Sequence, residues 1–95
     1  MKRLPTKNPD VVFQRLDEGG VLLSTQSEVY FGLDPVGAVI WELLPPNLEA
    51  LDTLLEALGD RYPEVAPATL RTDALEFLKA LVEAGLAQIR DESGD

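Results

Sequence analysis

The order of hydrophobic patterns along the chain predicts an α+β domain in which a three-stranded antiparallel sheet precedes three helices. Three observations carry that expectation. Residues 11 to 33 hold three short β-forming runs separated by turn residues, Asp34-Pro35 marks a switch to helical periodicity, and three leucine-rich helical patterns follow. At 95 residues and 45% hydrophobic content the chain suffices for one core and not for two.

Residues 1 to 10 carry two prolines, three basic side chains and no periodic pattern, so a flexible lead-in is expected, with order beginning near Val11. Val11 to Asp17 is rich in β-formers, Glu18-Gly19-Gly20 supplies a turn, and Val21 to Thr25 follows as a second strand. Gln26-Ser27 is a tight connection. In Glu28 to Leu33, Val29 and Phe31 alternate against Glu28 and Tyr30, which makes the third strand of a meander. Aspartate caps free amides, and proline at the first helical position lacks an amide that would go unpaired, so Asp34-Pro35 starts a helix. That helix runs to about Leu44, with Val36, Ile40, Leu43 and Leu44 on its apolar face, and Pro45-Pro46 forbids its continuation.

A second helix is expected from about Leu48, capped by Asn47, with Leu48, Leu51, Leu54, Leu55 and Leu58 at helical spacing and Gly59 to Pro63 closing it. Tyr62 reads as a core-edge residue. The third helix starts near Pro67 and runs to Ala84, where Gly85 occupies the position that ends helices in a left-handed conformation. Leu86 to Ile89 then form a short strand, which bounds the domain at 11 to 89 and leaves 90 to 95 as a polar tail. On the third helix Leu70, Ala74, Phe77, Leu78 and Leu81 lie close together, flanked by Leu75 and Val82 and by Ala80 and Ala84. Such a stripe is wider than one buried face requires, which fits either a helix wedged between two elements or a partly open groove. Trp41 follows Ile40 on a short amphipathic helix, and packing in the core is favoured over stacking on a ligand.

Seventeen acidic residues against eight basic ones give a net charge of −9, which repels nucleic-acid backbones and suits either solubility or a basic partner. Cysteine and histidine are both absent, so the thiol nucleophile, the commonest general base and the usual transition-metal ligands are missing together. No enzyme, catalytic residue, metal or cofactor is expected. Glu49 and Asp52 read as a solvated helix face, Gly19-Gly20 lacks the signature of a phosphate-binding loop, and Ser24, Thr25 and Ser27 have no activating base. The Asp34-Pro35-Val36-Gly37 helix start also lacks the attachment serine of acyl carrier proteins. No apolar run approaches the ~20 residues of a spanning helix, so a soluble, untargeted cytoplasmic protein is expected.

Three segments arrive in a telling order: a strand and helix in EVYFGLDPVGAVIWELL, a leucine-patterned helix ending ALGDRYP, and a long helix containing DALEFLKALVEAGL. Together they resemble the PqqD-like family, over about residues 9 to 89. The most specific part is Tyr30-Phe31-Gly32-Leu33-Asp34 followed by Gly37-Ala38 and Ile40-Trp41-Glu42-Leu43-Leu44; Phe77-Leu78, Leu81 and Gly85-Leu86 match the family's ending. Pro45-Pro46 stands where the family has a glycine-containing turn, and Asp34 where asparagine is more usual, departures that touch a turn and a cap.

The resemblance implies a winged helix-turn-helix fold that binds the leader segment of a ribosomally made precursor peptide. It also implies delivery of that peptide to a leader peptidase, cyclase or radical enzyme, in pathways such as pyrroloquinoline quinone or lasso-peptide biosynthesis, with the vocabulary closer to the lasso type. An extended peptide is expected to add antiparallel to Glu28, Val29, Tyr30 and Phe31, with pockets between this strand and the third helix at Leu70, Ala74 and Phe77. Asp73, at the margin of that stripe, is either an ordinary exposed residue or a contact for a peptide amide or cation. A winged-helix DNA-binding regulator is the alternative, disfavoured because Arg71 and Lys79 on the third helix face Asp73, Glu76 and Glu83 in number.

Overall fold

Strands and helices follow one another in the expected order in the computed structural model, which describes residues 1–89; the expected polar tail, 90 to 95, lies outside the described residues. The elements are β1 (Thr6–Lys7), β2 (Val11–Arg15), β3 (Gly20–Ser24), β4 (Tyr30–Leu33), α1 (Pro35–Leu43), α2 (Leu51–Arg61), α3 (Pro67–Glu83) and β5 (Ala87–Gln88). β2, β3 and β4 form an antiparallel meander in that spatial order, and β1 pairs antiparallel with β5 in a separate two-stranded ribbon. The α+β class therefore holds, as a small antiparallel sheet with three helices.

The pleat sends alternate side chains to opposite faces. Phe13, Leu22 and Phe31 stand in register across the three strands on the inner face, with Leu33 beside them. They meet a core made by Ile40, Trp41 and Leu44 around α1, Leu51, Leu54 and Leu58 of α2, and Leu70, Ala74, Leu78 and Leu81 of α3. Trp41 is thus a core residue, with the Lys7 ammonium 5.5 Å from its ring centroid. Asp34 caps α1 as expected: its Oδ1 accepts a hydrogen bond from the Gly37 amide at 2.7 Å. Gly85 adopts φ 77° after α3. Gly19, at φ 96° in the β2–β3 turn, lies so near the end of β4 that a Cβ there would meet the Leu33 carbonyl oxygen at 2.0 Å, so glycine is required.

Three expectations are corrected at the N-terminal segment and the start of α2. The first ten residues are not a loose lead-in, because Leu4 and Pro5 are fully buried and β1 pairs with β5. The Leu4 amide donates to the Glu49 carbonyl, the Leu51 amide donates to the Lys2 carbonyl, and Arg3 bridges Ala50. This pairing holds Glu49 and Ala50 in extended backbone, and the Leu48 amide bonds back to the Leu43 carbonyl, so α2 begins at Leu51 rather than Leu48. Asn47 does not cap it; its side-chain amide donates to the Glu42 carbonyl at 2.6 Å. The Lys2 carbonyl instead takes one of the free amides of the first turn.

Candidate functional site

β4 is an edge strand, and hydrogen-bond alternation identifies the groups it leaves open. The Ser24 amide donates to the Val29 carbonyl, so Ser24 and Val29 form a bonded pair, and in an antiparallel ladder the next bonded pairs are Leu22 with Phe31 and Gly20 with Leu33. The same parity holds on the other side of β3, where the Leu16 amide donates to Gly19 and the Thr25 amide to Asp10. The backbone N–H and C=O of Tyr30 and Gly32 therefore point away from β3, to the open edge. Gly32 adds no side chain, and the space its Cβ would occupy is empty to 4 Å.

The expected strand Glu28 to Phe31 is shortened by its own turn. Glu28 lies at φ 57°, in the left-handed region, and its amide bonds back to the Ser24 carbonyl, so Glu28 and Val29 belong to the β3–β4 connection. Both are exposed, Tyr30 is 71% exposed on the outer face of the sheet, and Phe31 turns inward against the core.

The other expected residues come together on one wall of a cavity. Leu70, Asp73, Ala74 and Phe77 line a cavity of about 210 Å³ whose opposite wall is Asp34, Val36, Gly37 and Ile40 of α1 and its cap, with Leu58, Tyr62 and Val65 completing it. No residue of β4 lines it. This cavity lies between α1 and α3, and Asp34, which follows β4 directly, is the residue by which the end of the edge strand meets it. Both readings of the wide stripe hold in part: Leu70, Ala74, Leu78 and Leu81 are buried, and Phe77 is half-buried at the cavity wall. Asp73 is exposed at the rim.

Val36, Gly37, Ile40, Leu58, Tyr62 and Val65 were not expected at the site. Gly37 carried a signal, since a glycine inside a helix costs about 1 kcal/mol and marks a close approach. Here the neighbour is Phe77, whose ring edge lies 3.1 Å from where a Gly37 Cβ would stand. At this volume the cavity admits one or two side chains and is smaller than the ~300–1,000 Å³ of small-molecule sites.

An open strand edge that leads past a helix cap into a side-chain-sized apolar cavity defines a domain suited to binding an extended chain. A family model described as coenzyme PQQ synthesis protein D (PqqD) matches residues 19–87, and this chain belongs to the PqqD family. A solved structure of TbiB1 in complex with the TbiA(beta) leader peptide is similar to it, with a TM-score of 0.80 and 32% sequence identity over 92% of this chain and 99% of that one. No curated protein matches the sequence.

Proposed function

We propose that this chain binds the leader segment of a ribosomally synthesised precursor peptide and presents it to the enzyme that modifies or cleaves that peptide, without catalysing a step itself. The observation that carries the reading is the open edge at Tyr30 and Gly32 running into the Asp34–Phe77 cavity, in a chain that resembles a leader-bound relative over nearly its whole length. The outward groups of Tyr30 and Gly32 offer two donors and two acceptors to an antiparallel strand. Such a strand runs from the Leu33 end of β4 toward Tyr30. Its residues N-terminal to the paired stretch then meet the cavity, where one apolar side chain fills the space against Ala74 and Phe77, and Asp73 and Asp34 stand by for an amide or a cation.

The absence of cysteine and histidine supports a non-catalytic role. No described helix is long and apolar enough to cross a membrane, and a cytoplasmic setting follows from the proposed work on newly made peptides. The recognition unit takes in Leu4 as well as residues 11 to 89. A winged helix-turn-helix description is supported by the α2–α3 pair beside the sheet, and a lasso-type pathway with a leader peptidase is the finer reading preferred over pyrroloquinoline quinone synthesis. Fluorescence anisotropy with labelled leader peptides from precursors encoded beside this chain is the test. Saturable binding by a leader and none by its scrambled sequence is expected; equal binding of both would refute the reading.

A further inference from the structure

A second depression, of about 590 Å³, opens between α2 and the first turns of α3, beside the α1–α3 cavity. The two share a wall, since Val65 in the α2–α3 connection and Leu70 line both, while Tyr62, Ala74 and Phe77 face only the first. Leu55 completes an apolar floor with Val65 and Leu70, and Gly59 of α2 lines the same groove. A Cβ on Gly59 would meet nothing within 4 Å. Packing therefore gives no reason for a residue that weakens a helix relative to alanine, whereas the missing side chain lets another backbone approach closely. Asp52 and Glu56 stand at the rim, both exposed and without an ion pair among the described residues, and Arg71 lines the groove from α3. The direction of a bound leader leads to this groove. A strand antiparallel to β4 enters from the Leu33 end, so its N-terminal residues reach Asp34 and the first cavity, whose wall at Val65 and Leu70 adjoins the second. An extended chain advances about 3.3 Å per residue, so about three to five residues upstream of the anchoring side chain suffice to cross the ~10 Å width of a helix. Acids accompany the route, Asp34 and Asp73 at the first cavity and Asp52 and Glu56 at the second, which suits a segment that begins with an ammonium group. A second copy of this chain does not suit it, because each copy brings a net charge of −9 to an acidic rim.

We propose that the leader segment upstream of the anchoring side chain crosses Val65 and lies in the α2–α3 groove, with an apolar side chain on Leu55 and Leu70 and its basic end toward Asp52 and Glu56. The proposal rests on leader binding at the β4 edge and adds a second site to it. The domain then reads two stretches of one peptide: a paired strand with its anchor, and an N-terminal stretch that separates one leader from another. The apolar floor supplies most of the strength, because exposed carboxylates contribute more to selection than to affinity.

The test pairs a groove variant with a leader truncated just before its anchoring residue, the apolar residue whose alanine substitution costs nothing further in Phe77→Ala. Gly59→Leu fills the groove and lies outside the lining of the first cavity. The wild-type domain is expected to bind the truncated leader about ten-fold more weakly than the whole one, the worth of one buried apolar side chain. Gly59→Leu is expected to bind both lengths alike, at the wild type's affinity for the truncated one. Equal affinity of the wild type for both lengths would overturn the proposal, and so would a preference for the whole leader that survives in Gly59→Leu. Should leucine disturb the fold, Gly59→Gln occupies the same space with a polar helix former and carries the same expectation. Asp52→Asn/Glu56→Gln is expected to cost the whole leader about two- to three-fold and the truncated one nothing; any other pattern would overturn the placement of the basic end. If Gly59→Leu bound both lengths as the wild type does and yet lost stimulation of the processing enzyme, the groove would belong to a partner protein and the proposal would fall. Failure of the wild-type domain to bind a leader of either length sinks the underlying reading instead, which separates the two.

Discussion

Gly37 and Phe77 set the shape of the cavity between α1 and α3. A Cβ on Gly37 would stand 3.1 Å from both Phe77 Cε1 and Asp34 Oδ1, so alanine there pushes a half-buried ring into open cavity rather than into packed core. Gly37→Ala gains up to about 1 kcal/mol of helix propensity against that crowding. Stability is expected to change little while leader affinity falls, as read by thermal melts and anisotropy on one preparation. Phe77→Ala is expected to cost about 2 kcal/mol or more in leader binding and less in stability than the ~3–5 kcal/mol of a core phenylalanine; the reverse order would return Phe77 to the core. Lys7 offers a test by pH. Burial beside Trp41 lowers its pKa, so in the window between that lowered value and the ordinary lysine value the unfolded chain binds more protons than the folded one. Stability relative to Lys7→Gln is therefore expected to rise with pH through that window, by an amount reduced by solvent because the group is only partly buried. A difference that stays flat would remove the desolvation account.

The edge strand was legible in sequence as a β-forming run, but its first residue was not. Alternation in EVYFGL continues through Glu28, whereas the bond from its amide to the Ser24 carbonyl closes a turn that forces φ 57°, a preference that glutamate's side chain does not advertise. The cavity residues of α3 were legible because a stripe too wide for one contact shows in the spacing of Leu70, Ala74 and Phe77. Their partner wall was not, since which element faces a helix depends on where the chain turns, and after the Asp34-Pro35 turn it is α1 that faces α3 across the cavity. Ladder parity yields an element-scale prediction. Proline at Gly32 or at Tyr30 removes an outward N–H without breaking a bond to β3, as edge strands tolerate. Each variant is expected to melt near the wild type and to lose about 1 kcal/mol or more of leader affinity. Undiminished binding by both, with the fold intact, would rule out strand addition on β4.

Across the whole molecule, local patterns foretold the meander and the three helices, and missed what joins the two ends of the chain. Leu4 lies in a stretch without periodicity, and its burial arises from pairing of residues 2 to 7 with segments around 50 and 87, contacts far apart in sequence. Charge, by contrast, was legible from composition alone and decides a question that the architecture leaves open. A sheet followed by three helices also suits a DNA reader, whose affinity comes largely from Lys and Arg displacing counterions from phosphates. On α3 the exposed cations Arg71 and Lys79 stand among the exposed acids Asp73, Glu76 and Glu83, in a chain of net charge −9. Phosphate contacts would therefore be few and opposed by repulsion over the whole surface. Gel-shift titrations with random and cluster-derived duplexes at low salt are expected to show no complex at micromolar protein, while leader binding in the same buffer persists and changes little as salt is raised, because it rests on backbone hydrogen bonds and apolar burial. Tight, sequence-selective DNA binding that weakens steeply with salt would instead identify α3 as a recognition helix and move the function from peptide to duplex.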